Sequence, residues 1–301
     1  MPRVIDPGEG APIALEDLVA ALDAEPGDLS DEERLAHFGP LLARLGRNRD
    51  FLADAAVAEL KARHRVDTTI GGYGAQVLML RPANGRYVLR ANFWPAETDA
   101  VVRASGTAPF FYHHAHDHNF SFLTVGYAGP GYWSDYYDYD VESVVGVPGE
   151  PVELRFVERA RLDAGKVLLY RARRDVHVQL PPDAFSVSLN ILAADPAQIW
   201  RDQFRFDIAK GTICETLTTT PSEALVAVAV HLGGEDGRDL AADYAARHPS
   251  PRMRTTASAA LASTLPDRES RRRLWETAAG DPDRTVAAHA RARLVGLENA
   301  P

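Results

Sequence analysis

The sequence predicts a mainly antiparallel β domain with helices before and after it in the chain. Two observations lead to this fold class. Between about residues 68 and 219, short β-type runs are separated by turn residues, which is typical of a sandwich or barrel. On both sides of that region, apolar residues recur at the spacing of amphipathic helices. We therefore divide the chain into an N-terminal helical region 1–67, a β domain 68–219 and a helical region 220–301.

The N-terminal region carries helical periodicity in three segments. The first contains Leu15, Leu18 and Leu22, and the second follows the helix start signal at residues 30–33. The third runs from residue 50 to about residue 63. The pattern predicts two or three helices.

The central region contains apolar runs of strand length with no helical segment between them. The pair Asn84-Gly85 marks a hairpin turn between the first two runs. The runs read QVLML, RYVLRANFW, FSFLTVGY, VELRFVE, KVLLYRA and FSVSLNILA. Segment 128–140, rich in Tyr and Trp, is interpreted either as a packed loop or as the rim of a pocket.

The C-terminal region repeats itself. Residues 243–261 align with residues 276–294 at an offset of 33, and Ala245, Pro249 and Leu261 recur at equivalent places. A helix-pair repeat of this length resembles HEAT-like solenoids, and the alternative is a helical bundle of biased composition. Solenoid surfaces often dock partners, so a protein partner is a further expectation for these helices.

Composition excludes several classes of function. The chain has 42 acidic and 33 basic residues, a net charge of −9, so no nucleic-acid partner is expected. No apolar run approaches the length of a membrane helix, so we expect no membrane partner. The single cysteine, Cys214, cannot form an internal disulfide, and the first residues do not resemble a secretory signal. We therefore expect a cytoplasmic protein.

Four of the ten histidines fall at positions 113, 114, 116 and 118, a density that indicates a metal site. In an extended strand, His114, His116 and His118 point to one face, so two of the three can reach one metal ion. The spacing leaves open which two. His177, in another predicted part of the β domain, is the candidate third ligand. Imidazole ligands suit iron, zinc, copper or nickel, and three protein ligands leave coordination positions open. Zinc, manganese or nickel would serve a metal enzyme without oxygen chemistry.

These residues resemble the metal-binding motifs of the cupin superfamily. The first motif is matched by His116-x-His118, with Phe122 where most cupins have Glu. The second is matched by His177 followed by Asn190. The resemblance covers about 68–215 and implies a cupin barrel, which is a double-stranded β-helix.

Within cupins, the chain is similar to the three-histidine thiol dioxygenases. The shared features are the Asn-Gly turn with a strand ending at Trp94, the tripeptide His-Asp-His and a later Val-Ser-Leu. The resemblance implies Fe(II) held by three histidines without the motif Glu. Two positions depart from that group, because Asn190 and Leu192 stand where thiol dioxygenases have the His and Tyr that assist catalysis.

The function predicted from these features is an oxygen-dependent, non-haem iron oxygenase acting on a small polar or amino-acid-derived substrate, free or carrier-bound. Tyr127, Tyr132 and Ser188 are the candidate catalytic residues for moving protons. A substrate carboxylate could be held by an arginine, and the candidates are Arg90, Arg103 and Arg171. Two alternatives stay open: a metal-dependent cupin isomerase or lyase, and a ligand-binding regulatory cupin without catalysis.

Overall fold

The computed structural model describes residues 1–65, 76–81 and 83–299. Two compact units make up the chain, residues 1–139 with 154–198, and residues 140–153 with the chain from 199 onward. The N-terminal helices group with the strands that follow them, and residues 199–219 group with the C-terminal helices.

The first unit contains five helices and ten strands among its described residues. The helices are α1 (Leu15–Ala24), α2 (Glu32–Ala36), α3 (Gly39–Arg47), α4 (Phe51–Arg65) and α5 (Ala100–Ser105). The strands are β1 (Arg3–Ile5), β2 (Val77–Arg81), β3 (Tyr87–Trp94), β4 (Ala115–His116), β5 (Phe122–Ala128), β6 (Trp133–Asp138), β7 (Arg155–Arg161), β8 (Val167–Tyr170), β9 (Asp175–Leu180) and β10 (Ser186–Ala193).

These strands form two antiparallel sheets. The first has the order β1-β8-β5-β10-β3-β2, and the second has, within this unit, the order β4-β9-β6-β7. Between β3 and β10 the chain alternates from one sheet to the other, except that β6 and β7 are a hairpin in the second sheet. This is the strand order of an eight-stranded jelly roll. The predicted antiparallel β fold, with helices before and after it in sequence, is confirmed.

The N-terminal helices cover the outer face of the first sheet. Leu18, Leu22, Leu42 and Leu45 are buried against apolar side chains of β3, β5, β8 and β10 in one core. Four helices form in the N-terminal region, where the sequence predicted two or three. The second predicted helix is divided into α2 and α3. Pro40, in the first turn of α3, has no backbone N–H and so cannot continue the hydrogen bonding of α2.

Alternation along β3 decides which side chains face the second sheet. Leu89 and Ala91 are buried among the N-terminal helices, whereas Trp94 belongs to a second core with Phe122, Tyr170 and other side chains between the sheets. Because the period of a strand is two residues, Arg90 and Asn92 share the face of Trp94. This inner face is where the candidate site lies.

Among the strands of the second sheet that the sequence did not predict are β6 and β9. β6 lies in the aromatic segment 128–140, where the buried residues Tyr132, Ser134 and Tyr136 alternate with more exposed ones. β9 carries His177, which the sequence placed after a strand rather than in one. Both strands combine polar and aromatic residues, so neither has the apolar run that predicts a strand.

The second unit contains two strands and five helices among its described residues. They are β11 (Phe204–Asp207), β12 (Thr212–Thr216), α6 (Pro221–Leu232), α7 (Gly234–Arg247), α8 (Pro251–Thr264), α9 (Arg268–Ala279) and α10 (Arg284–Asn299). The repeat at offset 33 relates α7 and α8 to α9 and α10, and each pair packs together. Its HEAT-like character stays a prediction. Across the described part of the chain, no helix has the length and apolar character needed to cross a membrane.

Candidate metal centre

Three histidines converge between the two sheets. His116 lies at the end of β4 and His177 in β9, and the two are directly opposite in the antiparallel register. His118 lies two residues beyond β4. One ring nitrogen from each of the three lies within 4.8 Å of the other two, an arrangement that could hold a metal ion.

The contacts between these rings fit a cation between them. The Nε2 atoms of His177 and His116 are 3.0 Å apart, and those of His118 and His177 are 3.2 Å apart. A neutral imidazole nitrogen either carries one hydrogen or offers one lone pair, so the central Nε2 of His177 cannot satisfy both neighbours at once. A metal ion that accepts all three lone pairs removes this conflict.

The local backbone fixes the orientation of His116. Its Nδ1 lies 2.9 Å from the carbonyl oxygen of His114. A hydrogen bond to a carbonyl requires the hydrogen on Nδ1, which leaves the lone pair on Nε2, where the three rings meet. Within the described residues, the buried Nδ1 atoms of His118 and His177 have no hydrogen-bond partner.

Burial keeps all three histidines neutral, the form that binds a metal. Desolvation lowers the pKa of His116 to about 4. It also lowers the pKa of His118 and of His177 well below the usual value, and the neighbouring histidines lower both further. Around His118 the site is lined with aromatic rings, including Phe120 and Phe122 with centroids at 5.1 and 4.9 Å.

His114 is not brought into the group by its side chain. Phe111 and His113 both adopt left-handed backbone conformations, with φ of 59° and 64°, just before the two-residue strand β4. The segment is therefore not continuously extended, and the ring of His114 lies 5.3 Å from that of Phe111. His114 contributes its carbonyl oxygen to His116 instead.

Tyr127 lies on the opposite face of the first sheet from the histidines. Its hydroxyl donates to the backbone oxygens of Asn48 and Arg49, both at 2.9 Å, and its ring contacts Phe51 at the N-terminal helices. The structure does not bring this candidate catalytic residue to the site, because odd-numbered positions of β5 face the helices. We leave Tyr127 out of the proposed site.

Replacing Tyr127 with phenylalanine is expected to lower the free energy of unfolding by about 1 kcal/mol, because the hydroxyl loses its hydrogen bonds to the helix-linking backbone. The metal content of the purified protein should be unchanged. Chemical denaturation and elemental analysis measure the two quantities separately. A loss of metal with an unchanged free energy of unfolding would instead show that Tyr127 supports the metal site.

The other two candidate catalytic residues lie on the inner face. Tyr132 is buried beside Trp94, with ring centroids 4.2 Å apart, and forms hydrogen bonds with the side chains of Tyr170 and Gln179. Ser188 accepts a hydrogen bond from the Trp94 indole nitrogen at 3.0 Å. Both residues therefore belong to the wall of the same interior as the histidines.

Sequence reasoning found Tyr132 but missed Tyr136 and Tyr170, whose hydroxyls extend a chain of hydrogen bonds from it. Tyr170 and Tyr136 approach each other at 2.9 Å between hydroxyl oxygens, and the Tyr170 ring lies 4.9 Å from His177. Burial raises the pKa of Tyr136 to about 12 and raises the pKa of both Tyr132 and Tyr170 as well. All three hydroxyls stay protonated at neutral pH and can donate hydrogen bonds.

Of the three candidate arginines, the structure brings Arg90 to the inner face. Arg171 is held by Asp175, with Nη2 2.6 Å from Oδ1, and Arg103 is exposed on α5. The pKa of His118 is lowered mainly by burial, and also by the nearby imidazole of His116 and by the positive charge of Arg90. Of the three arginines, Arg90 is thus the one whose positive charge acts on a histidine of the candidate metal centre.

The fold and the site together define an antiparallel jelly roll with a largely buried three-histidine group that could hold a metal ion. No protein-family model matches the chain, and no curated protein matches it.

Among solved structures, part of this chain is similar to part of a chain in the crystal structures of DMSP lyases. The two are 10% identical over 39% of this chain and 42% of the lyase chain, with a TM-score of 0.23. A DMSP lyase from Ruegeria pomeroyi DSS-3 is 12% identical over 65% of this chain and 78% of that chain, with a TM-score of 0.25. A hydroquinone 1,2-dioxygenase is 12% identical over 42% of this chain and 68% of that chain, also with a TM-score of 0.25. Likenesses this weak carry no argument for fold or function.

Proposed function

We propose that the chain is a cupin enzyme that binds Fe(II) through His116, His118 and His177 and oxidises a small polar or amino-acid-derived substrate with oxygen. The convergence of three neutral imidazole nitrogens between the sheets is the observation that carries this proposal. The jelly-roll strand order and the His-x-His motif support the assignment to cupins. The Phe at the position of the motif Glu supports a three-histidine ligand set.

The ligand set favours an anionic substrate. Three neutral ligands leave a divalent ion with its full positive charge, so negatively charged groups are attracted to the remaining positions. Bound iron would supply open positions and electrons for reaction with oxygen. Phe120 and Phe122 would exclude bulk water from the His118 side of the centre.

The protein's own proton donors are tyrosine hydroxyls beside His177, and the ring of one of these tyrosines, Tyr170, stacks on that of Phe122. Tyr170, in contact with His177, is linked by hydrogen bonds to Tyr132 and Tyr136. Since burial keeps these hydroxyls protonated, they would orient a substrate oxygen or deliver a proton to it. This role replaces the His and Tyr that thiol dioxygenases have where Asn190 and Leu192 stand.

The test compares metals on the same protein. The chain is depleted of metal, reconstituted without oxygen with Fe(II), Zn(II), Mn(II) or Ni(II), and assayed for oxygen consumption with amino acids and their 2-hydroxy-acid counterparts. Among the four metals, we expect only Fe(II) to support substrate-dependent oxygen consumption. The His177→Ala variant should consume no oxygen with any of them. Substrate conversion with Zn(II) in the absence of oxygen would replace the oxygenase proposal with an isomerase or lyase. Ligand binding without conversion for every metal would favour the regulatory alternative, with the C-terminal helices as the surface for a protein partner.

A further inference from the structure

Four polar side chains on the inner face of the first sheet form a strip beside the candidate metal centre. Asn190 on β10 lies directly opposite Arg90 on β3 and Thr124 on β5. Asn92 follows Arg90 by two residues and so lies on the same face. We call Arg90, Asn92, Thr124 and Asn190 the polar strip.

Three members of the polar strip each carry a buried side-chain atom that forms no hydrogen bond with any described residue. Asn92, Thr124 and Asn190 have exposed fractions of 7%, 0% and 3%. Within the described chain, Asn92 Oδ1, Thr124 Oγ1 and Asn190 Nδ2 form no hydrogen bond. Buried polar groups are nearly always paired, so three orphaned atoms on adjacent strands indicate a place where a ligand supplies the partners.

The polar strip lies within a small molecule's reach of the histidines. Phe122, whose ring centroid is 4.9 Å from that of His118, precedes Thr124 by two residues and shares its face. Two residues along a strand span about 7 Å. A ligand of a few carbon atoms could therefore contact the polar strip and the centre together.

The chemistry of the strip selects the ligand. A guanidinium, an amide N–H and a hydroxyl are donors that suit a carboxylate. Asn92 Oδ1 adds an acceptor for a neighbouring donor group, and the charges of Arg90 and a divalent ion both repel an ammonium group. We propose that the polar strip binds a small 2-hydroxy carboxylate, with the carboxylate at Arg90, Thr124 and Asn190 and the hydroxyl at Asn92. This rests on the proposed metal site and narrows its substrate class.

The test uses the full chain loaded with Zn(II), which prevents oxidation, and lactate, lactamide and propionate as probes in calorimetric titrations. Wild type should bind lactate at least about tenfold more tightly than lactamide, which lacks the charge. Thr124→Val and Asn190→Leu should each weaken lactate binding by about tenfold or more. Without ligand, both variants should melt at or above the wild-type temperature, because each replaces an unpaired buried polar group with an apolar one of similar size.

Asn92→Leu tests the hydroxyl separately. Wild type should prefer lactate to propionate, and this variant should bind the two acids about equally. Lactate affinities of Thr124→Val and Asn190→Leu within twofold of wild type would overturn the proposal. So would a large fall in their melting temperatures, which would make the polar groups structural. Because these titrations involve no oxygen, their result is independent of whether Fe(II) supports oxidation.

Discussion

Replacing His177 with alanine is expected to remove stoichiometric metal from the purified protein. The Nε2 of His177 is the nitrogen that approaches both other histidines, at 3.0 and 3.2 Å. Losing it leaves two ligands. Removing only a hydrogen-bond partner of a ligand lowers metal affinity by up to about 100-fold, so we expect the loss of a ligand itself to lower it by more. Elemental analysis of protein saturated with Zn(II) or Fe(II) and then desalted measures the ratio of metal to chain. His116→Ala and His118→Ala should behave in the same way.

Two neighbouring histidines provide matched controls. His113 is exposed, and His114 supports His116 through its backbone carbonyl, which alanine retains. His113→Ala and His114→Ala should therefore keep a full equivalent of metal. A full equivalent in His177→Ala, or a loss in His114→Ala comparable to that in His116→Ala, would contradict the ligand set.

The three ligands could be proposed from the sequence because histidine is rare and its clustering is conspicuous. Spacing alone could not decide between His114 and His118, since both stand two residues from His116; the resemblance to the cupin motif favoured His118 and left His114 as the reserve. That spacing predicts a common face only for an extended chain. Phe111 and His113 adopt left-handed backbone conformations just before His114, whose ring lies beside that of Phe111, and no sequence signal marks either conformation.

The polar strip and the tyrosine network were harder to predict for a different reason. Thr124 and Asn190 lie within strands that read as apolar runs, and Tyr170 ends another such run. Which alternate residues of a strand face the interior depends on how the strands pair, and pairing joins residues far apart in sequence. The same register explains why Tyr127, on the other face of β5, lies at the helices rather than at the site.

The β fold itself was predictable from its turn-separated apolar runs, but the second sheet was only partly visible. β6 and β9 place polar or aromatic side chains on the inner face because they line the candidate site. Tyr136 and His177 lie opposite each other in the register of these two strands. The polar and aromatic residues that line the candidate site are therefore the same residues that made these two strands hard to predict from apolar runs.

Replacing Asp175, at the start of β9, is expected to have a large effect on the free energy of unfolding. Its side chain is fully buried, and it accepts hydrogen bonds from Arg171, at 3.0 Å from Nε, 2.6 Å from Nη2 and 2.8 Å from the backbone nitrogen. Removing one partner of a buried pair leaves the other charge poorly compensated. Arg171 retains some exposure to water, with 19% of its side chain accessible, so solvent reduces this cost. We expect Asp175→Ala to lower the free energy of unfolding by about 3 kcal/mol, at the low end for buried pairs.

Urea denaturation followed by circular dichroism measures this effect, and the surface pair Arg161–Asp163 supplies its control. Asp163 has 52% of its side chain exposed and lies 2.5 Å from the Arg161 Nε, so Asp163→Ala should cost less than about 1 kcal/mol. Asp175→Asn should fall between the two, because the amide oxygen still accepts one hydrogen bond while the charge is lost. Equal unfolding midpoints for Asp175→Ala and Asp163→Ala would show that the buried carboxylate does not stabilise β9. In that case the position of His177 in the centre would have to be fixed by its strand pairing with His116 and Tyr136 alone.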